Sequence, residues 1–334
     1  MALASSGRGV TNVSDAEVAE VNDGCDWELS TMLEGFAPHV TTGAEAVRWA
    51  CLLEATAPKV GNVSPGQSFA DLRYEDFVIA SEVAADAFRD CERFSDAILR
   101  AVKETGDRCG TNVNLGILLL LGPLHLADQK LLQASTASPS DTDWCEALDE
   151  VLKSLDSDDQ LAIFHAISVS SAGGMGKVER WDVNEAPSDL DLIQAMSAAA
   201  ERDRIAKQYD TGFRDFFENY VPVLRTCLLE TRDLLRGIVY AQIELLANFP
   251  DSLIARKNGD EAAEEVRRLA ARTTIKDPEQ VNLLDSHLRA DGNRLNPGTT
   301  ADLIAAALFV IFRSLPRARL ARCGDGGLGK VERK

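Results

Sequence analysis

The chain has 334 residues, of which 45% are hydrophobic and 26% are charged, an ordinary balance for a soluble globular protein. Its 53 acidic and 35 basic side chains give a formal net charge of −18 at pH 7. Nucleic acids and anionic membranes attract proteins through a positive field, so we expect neither as a partner. An anionic small molecule would have to be bound by a local group of the few basic residues.

Seven cysteines are scattered along the chain without a Cys-x-x-Cys pair, and the four histidines are isolated. This pattern argues against a disulfide framework and a zinc site, and it favours a reducing compartment. The first ten residues, MALASSGRGV, lack the apolar stretch of a signal peptide. The longest apolar run, ILLLL at 117–121, is too short to span a membrane. We therefore predict a cytoplasmic protein.

Apolar residues recur at three- and four-residue steps in nearly every periodic segment, and no segment alternates convincingly as a strand would. We predict an all-α fold, a single globular bundle of about ten helices. The segment at 114–132 is apolar around most of its circumference, which is typical of a central, buried helix. In chain order, the predicted helical segments are 41–57, 74–106, 114–132, 141–155, 159–171, 190–209, 213–248, 259–274, 277–291 and 300–315.

The helical pattern predicts one structural domain with two less structured ends. Residues 1–40 are expected to be poorly ordered or loosely packed. Residues 41–316 are expected to form the all-α domain, because no linker within them separates two cores. Residues 317–334 are rich in Arg and Lys, and we interpret them as a basic C-terminal tail.

A glycine-rich segment, SSAGGMGKVER at 170–180, has the composition of a phosphate-binding loop. A P-loop has a glycine five positions before its Gly-Lys pair and a Ser or Thr after the lysine. Ser171 and Val178 occupy those two positions, so we do not expect a P-loop. Two interpretations stay open: an anion-binding nest of backbone N–H groups, or a surface turn between helices.

Four segments between apolar helices hold more Gly, Pro, Asn and Asp than simple turns require. They could converge at one end of the core as a shared pocket, with Lys59, Arg256 and Lys257 as its positive charge. Taken one at a time, Asn112, Thr299 and Asp251 suit N-cap positions, and capping is then the favoured interpretation of each. The four segments are 54–76, 107–116, 249–261 and 295–303.

Five motifs of the chain resemble, in the same order, those of the triphosphoribosyl-dephospho-coenzyme-A synthases. The resemblance covers residues 45–313, and its most specific motif, Asn-Pro-Gly-x-x-Ala-Asp-Leu, is complete at 296–303. The glycine-rich segment falls where members of this superfamily often carry a Gly-Gly-Leu-Gly turn before an Asp-Val. The five motifs are LLEATAPKVGNV, GTNVNLGILLLLGPL, DRIAKQYDTGF, DSLIARKNG and NPGTTADL.

The resemblance implies an enzyme that uses ATP in an unusual way. The ribose 2′-hydroxyl of 3′-dephospho-coenzyme A attacks C1′ of the ATP ribose, adenine leaves, and the triphosphate stays on the transferred ribose. The product is the prosthetic-group precursor of citrate lyase or malonate decarboxylase acyl carriers. The implied ligands are ATP as a substrate, dephospho-coenzyme A, and Mg²⁺ held by carboxylates. A homo-oligomer is compatible with the sequence.

This chemistry predicts roles for the polar residues of the motifs. An oxocarbenium-like centre needs a carboxylate, the acceptor hydroxyl needs a general base, and the triphosphate needs cations and N–H donors. We expect Asp251 and Asp302 to be catalytic carboxylates and metal ligands, with helix capping as the alternative. A general base is expected among Asp71, Glu75 and Asp76. The residues expected to bind the nucleotide are Lys59, Asn62, Asn112, Asn114, Arg256, Lys257, Asn296 and Gly298, and Asp203 and Tyr209 are expected to line the pocket.

The chain departs from the family pattern at two places. Val60 replaces the second proline of Pro-Lys-Pro-Gly, and Asn114 and Leu115 replace the His-Lys pair of Gly-x-Asn-Thr-His-Lys-Gly. Asn cannot titrate and Leu cannot pair with a phosphate, so either Arg73 or Lys177 substitutes or the acceptor differs. Two alternative functions therefore stay open: a related ATP-using enzyme with a different acceptor in another cofactor pathway, and a non-catalytic nucleotide-binding or interaction protein.

Overall fold

The computed structural model describes residues 27–135, 137–170 and 191–316. Within these ranges the chain forms fifteen α-helices and no β-strand, so the predicted all-α fold is confirmed, while the predicted number of about ten helices was too low. The helices are α1 Gly43–Thr56, α2 Tyr74–Asp90, α3 Phe94–Cys109, α4 Leu115–Ala134, α5 Asp141–Lys153, α6 Ser157–Val169, α7 Leu192–Ala199, α8 Arg204–Asp210, α9 Arg214–Asn219, α10 Val221–Thr231, α11 Leu234–Asn248, α12 Ser252–Asn258, α13 Asp260–Arg272, α14 Pro278–Arg289 and α15 Gly298–Arg313.

Four of the five additional helices arise where a continuous apolar period hides a break in the backbone; the fifth, α12, lies in the polar segment 249–261, where no helix was predicted. Extended backbone at the C-cap of α2 and the N-cap of α3 separates these two helices within one predicted segment. Arg232, which has a φ of 49°, ends α10 inside the longest predicted segment. The side chains of Asp203 and Asp251 accept backbone N–H bonds and begin α8 and α12. Hydrophobic periodicity does not detect such breaks, because the apolar residues on both sides still face the core.

Helix α15 lies at the centre of the core. Its residues from Thr299 to Arg313 are almost all buried, and it packs against α1, α4, α10 and α11. Helix α4, predicted to be central and buried, packs against α15. Among the described residues it is the one helix apolar and long enough to cross a membrane, but 61% of its apolar window is buried inside the protein. A helix of a protein core meets the same criterion, and the packing of α4 is that of a core helix.

Arg313, at the C-terminal end of α15, ties the described part of the N-terminal segment to the core. Its guanidinium pairs with Asp128 Oδ2 at 2.9 Å and donates to the carbonyl oxygens of Val40 and Thr41 at 2.9 and 3.0 Å. Leu33 is also buried against the core. The described residues before 41 thus pack onto the domain, whereas residues 1–26 and 317–334 lie outside the description and the domain limits stay predictions.

Candidate active site

A cavity of about 550 Å³ opens at one end of the core, where α1 ends and where α4, α8, α12 and α15 begin. This volume is typical of sites that bind small molecules. Each of the four polar segments, 54–76, 107–116, 249–261 and 295–303, contributes residues to the wall. The segments that the sequence suggested could converge therefore meet in one cavity.

Two of the four predicted catalytic carboxylates and six of the eight predicted nucleotide-binding residues line the cavity. The other four predicted residues are buried behind its wall. The residues in the wall are Asn62, Asp71, Asn112, Arg256, Lys257, Asn296, Gly298 and Asp302, and those behind it are Lys59, Asp76, Asn114 and Asp251.

Asp251 is a helix cap whose oxygen atoms are both fully used. Its Oδ1 accepts the backbone N–H groups of Leu253 and Ile254 at 2.9 and 3.1 Å. Its Oδ2 accepts the N–H and the hydroxyl of Thr300, both at 2.7 Å, which ties α12 to α15. Burial raises the pKa of Asp251, and the Thr300 bonds oppose that rise. The capping alternative fits this geometry, so we assign Asp251 neither a catalytic nor a metal-binding role.

The other three buried residues also have structural partners. The Lys59 ammonium pairs with Glu54 Oε1 at 2.8 Å and donates to the Glu54 carbonyl. Asp76 forms a capping box with Arg73 at the start of α2. Asn114 donates to a backbone carbonyl of α2 at 3.4 Å. The predicted phosphate contact of Lys59 and the predicted base role of Asp76 therefore do not fit these positions.

Asp302 is the carboxylate with the most unusual surroundings. It lines the cavity from the second turn of α15, and no donor in the described part of the chain bonds to its oxygens. The carboxylate lies against the first turn of α4, where a Cβ on Gly116 would collide with Asp302 Oδ2. Burial raises the pKa of Asp302 well above its ordinary value, the negative charge of Glu54 raises it further, and the positive charge of Arg256 opposes the rise.

Glu54, in the last turn of α1, lines the same cavity and was not among the predicted site residues. Glu54 is only 3% exposed, and its ion pair with Lys59 compensates the charge of this buried carboxylate. A sequence signal for it did exist. Glu54 is the single charged residue in the apolar stretch ACLLEATA, where a solvated charge is not expected.

Arg256 and Lys257, both in α12, are the cations of the wall. Arg256 pairs with Asp203, which also lines the cavity, and its Nε is buried with no acceptor among the described residues. Lys257 is exposed at the mouth without an ion pair to any described residue. Partial burial of its ammonium lowers its pKa, and the charge of Asp71 opposes this. Tyr209, predicted to line the pocket, is instead buried, and its hydroxyl donates to a carbonyl of α4.

Four asparagines line the wall; Asn293 donates to Asp71 Oδ2 at 2.8 Å, and the other three differ in the amide group that they leave unused. Asn62 Nδ2 donates to Asn296 Oδ1 at 2.6 Å, and Asn296 Nδ2 bonds to no acceptor in the described ranges. Asn112 has the opposite polarity, because its Nδ2 donates to a carbonyl of α3 at 3.3 Å while its Oδ1 is buried without a donor. Asn296 thus has an unused donor, and Asn112 has an unused acceptor that is buried.

The glycine-rich segment at 170–180 lies outside the described residues except for Ser170, which lines the cavity. The interpretations of this segment, including Lys177 as a substitute cation, therefore stay predictions. Arg73, the other suggested substitute, has a side chain that is 65% exposed and paired with Asp76, and it does not line the cavity.

Comparisons with known proteins identify the family of the chain. The model of the ATP:dephospho-CoA triphosphoribosyl transferase family matches residues 41–320. The chain belongs to this family. A crystal structure of a proposed triphosphoribosyl-dephospho-CoA synthase from Archaeoglobus fulgidus is similar, with 28% sequence identity and a TM-score of 0.55 over 71% of this chain and 98% of that chain. Among curated proteins, no sequence matches the chain.

Family membership confirms the resemblance and the transferase activity that it implies, with ATP as a substrate, and the two alternative functions find no support. The structure also locates the departures from the family pattern. Leu115, at the lysine position, lines the cavity, whereas Asn114, at the histidine position, is buried behind it. This family member therefore lacks one cation in the wall, and Arg256 and Lys257 are the cations that the described wall retains.

Proposed function

We propose that the cavity transfers the triphosphoribosyl group of ATP to the 2′-hydroxyl of dephospho-coenzyme A, with Asp302 as general base and Glu54 as the carboxylate that stabilises the oxocarbenium-like centre. The observation that carries the proposal is the contrast between these two wall carboxylates. Asp302 has no bonded donor among the described residues, whereas Glu54 is held by Lys59.

The different surroundings of the two carboxylates assign their roles. A base works best when its pKa lies near the operating pH, and the raised pKa of Asp302 moves it in that direction. Asp302 would accept the proton of the 2′-hydroxyl as that oxygen bonds to C1′. The C1′–N9 bond breaks ahead of this attachment, which makes the centre oxocarbenium-like; adenine leaves with the bonding electron pair and takes up a proton. Glu54, fixed by Lys59, would face the positive charge that develops on the ribose.

The triphosphate has suitable donors in α12 and at the start of α4. Arg256 Nε lacks an acceptor among the described residues, and Lys257 lies at the mouth. Helix α4 begins without a side-chain cap, so its first backbone N–H groups are free to bind anionic oxygens, whereas in the first turn of α15 the Thr300 N–H already donates to Asp251. Asn112 Oδ1 is suited to accept a ribose hydroxyl, because it is an acceptor without a donor.

Mg²⁺ fits this cavity as an ion shared with the triphosphate. The described residues contain no group of three His, Cys, Asp or Glu that could hold a metal alone. Mg²⁺ is commonly bound by one or two carboxylates together with substrate phosphates, and it neutralises their charge. Asp71 suits this role better than Asp302, because its charge acts on Lys257 at the mouth, and a cation on Asp302 would lower the pKa that a base requires.

Cytoplasmic localisation belongs to the same proposal. The reaction consumes ATP and a coenzyme A precursor, and the five cysteines among the described residues are all free thiols, as a reducing compartment favours.

Incubation of the purified protein with ATP, Mg²⁺ and dephospho-coenzyme A tests the proposal, with free adenine measured by chromatography and the product by mass spectrometry. We expect adenine only when the acceptor is present. Asp302→Asn and Glu54→Gln should each lose most of the release, whereas Glu75→Gln, an exposed carboxylate outside the wall, should keep it. Normal release from both wall variants would refute the assigned roles.

A further inference from the structure

A chain of three buried amides leads from the core to the cavity. It begins at Gln242 in α11, passes through Asn62 in the loop after α1, and ends at Asn296 before α15. The three residues are 0%, 5% and 7% exposed, respectively. Asn62 and Asn296 line the cavity, whereas Gln242 does not.

The direction of every bond in this chain follows from the backbone of Val60, where the N–H can only donate and the carbonyl can only accept. Val60 N donates to Gln242 Oε1 at 2.8 Å, and Gln242 Nε2 donates to Val60 O at 2.9 Å. These two bonds give the Gln242 amide a single orientation. Its second N–H donates to Asn62 Oδ1 at 2.6 Å, which leaves Asn62 Nδ2 to donate to Asn296 Oδ1 at 2.6 Å.

Asn296, the last amide of this series, therefore has only its N–H donors left for a ligand in the cavity. Asn296 Oδ1 is occupied by Asn62, so the group that remains is the Nδ2 donor. We propose that Gln242 is a positioning residue: it fixes the amide polarity of Asn62, and through it Asn296, so that Asn296 donates to an acceptor-only oxygen of the nucleotide, such as a phosphate oxygen of ATP. The choice of ATP rests on the proposed function, whereas the polarity of the chain does not.

Charged residues of α14 hold the loop but do not set the amide polarity. Arg289 donates to the Asn62 carbonyl, and Asp285 accepts from Gly61 N at 2.7 Å. Both bonds involve backbone atoms, so they leave the Asn62 side-chain amide free to take either orientation. A reversed Asn296 would turn a carbonyl oxygen towards the phosphate, and a lost hydrogen bond to a charged group corresponds to about a 10- to 100-fold loss of affinity.

The variant Gln242→Glu tests the proposal, because it keeps the shape of the side chain and removes both donors when ionised. We expect its Kd and KM for ATP to exceed the wild-type values by about 10- to 100-fold at high pH, with a smaller change in kcat. The ratio to wild type should fall between about pH 9 and pH 6, because a buried Glu takes up a proton in this range and the acid can again donate to Asn62. Calorimetric titration with ATP and adenine release give the two readouts.

Gln242→Met separates this effect from simple packing. Met removes the amide without adding a titrating group, so its ATP affinity ratio to wild type should not change with pH. Asn62→Asp interrupts the chain one bond closer to the cavity and replaces Gln242→Glu if that variant does not fold. Gln280→Glu adds the same charge to α14 outside the cavity and should bind ATP normally.

Two results would overturn the proposal: unchanged ATP affinity in Gln242→Glu and Asn62→Asp, or an affinity loss in Gln242→Glu that does not depend on pH. Failure of the proposed function has a different signature. Wild-type protein that binds ATP but releases no adenine with dephospho-coenzyme A would contradict the transferase reaction and leave the amide chain to be judged by ATP titration alone.

Discussion

Helix α15 carries a charged residue near each end, and the two differ in their bonded partners. Arg313, at the C-terminal end, is 1% exposed and donates to Asp128 and to the carbonyl oxygens of Val40 and Thr41. Asp302, near the N-terminal end, has no bonded donor among the described residues, and its pKa is raised well above the ordinary value. One helix thus holds both a neutralised charge and an uncompensated one.

The difference separates structural charges from functional ones. A buried charge whose bonds are all made holds elements together, and removing its partner is costly. A buried charge without partners lowers stability, and proteins retain such groups mainly at functional sites. The comparison predicts that changes at Asp302 affect activity more than stability, and that changes at Arg313 do the reverse.

Asp302→Asn should have the largest effect on activity. The loss of a general base typically lowers the rate by about 10²- to 10⁴-fold, and Asn has nearly the same shape beside Gly116. Folding should be unaffected or improved, because a partly buried carboxylate without a bonded donor among the described residues is removed. Single-turnover adenine release and urea unfolding measure the two quantities, and a variant that loses stability in proportion to its activity would contradict the comparison.

Arg313→Met should have the largest effect on stability. It leaves Asp128 without its guanidinium partner in a fully buried place, which typically costs about 3–5 kcal/mol of unfolding free energy. The double variant Asp128→Asn/Arg313→Met should recover part of that loss, because the carboxylate charge is removed together with the guanidinium. Adenine release per folded molecule should be close to wild type. Equal destabilisation by the single and double variants would show that packing, not charge, is what Arg313 contributes.

The sequence predicted which residues line the site better than it predicted the role of each residue. Helical periodicity predicted the all-α fold, and the ordered motifs named most of the wall. Asp251 and Asp302 could not be separated, because both stand in polar motifs beside a helix start. The start of α15 at Gly298 decides between them, since Asp302 lies beyond the cap position and Asp251 occupies one. Glu54 had a sequence signal, its single charge in an apolar stretch, but the pattern does not show that this charge lines a cavity or that Lys59, five residues later, neutralises it.

Gly116→Ala tests the close approach that places Asp302 in the wall. The added Cβ would collide with Asp302 Oδ2 and approach Ile205 Cδ1 to 2.6 Å, so the carboxylate must move. We expect adenine release to fall by about 10- to 100-fold, as for a misplaced catalytic group. Gly106→Ala, in α3, adds the same methyl group where nothing lies within 4 Å and should release adenine normally. Unaltered activity in Gly116→Ala would show that the position of Asp302 is not critical.

The raised pKa of Asp302 predicts a difference in pH dependence between wild type and Asp302→Asn. The folded protein retains the Asp302 proton to a higher pH than the unfolded chain, so wild-type stability decreases as pH rises from the ordinary Asp pKa through the raised one. Asp302→Asn has no titrating group at this position and does not lose stability in this way. Its free energy of unfolding should therefore increase relative to that of wild type as pH rises across that window. Urea unfolding at several pH values measures it, and parallel curves would contradict an uncompensated Asp302. Wild-type kcat/KM should rise over the same window, because the base must be deprotonated.

Lys257→Gln should have the smallest effect on activity. It extends the comparison to a charged side chain that is exposed and largely hydrated. Lys257 is exposed at the cavity mouth and forms no ion pair with a described residue, so its attraction for the triphosphate is screened by solvent and salt. We expect KM for ATP to rise about two- to five-fold at low salt, with kcat and stability unchanged. The difference in KM between Lys257→Gln and wild type should shrink as salt is added. Added ions screen the attraction between the exposed ammonium and the triphosphate. A large loss that persists at high salt would instead indicate that ATP binding buries Lys257, and the ammonium would then resemble Arg313 more than a solvated charge.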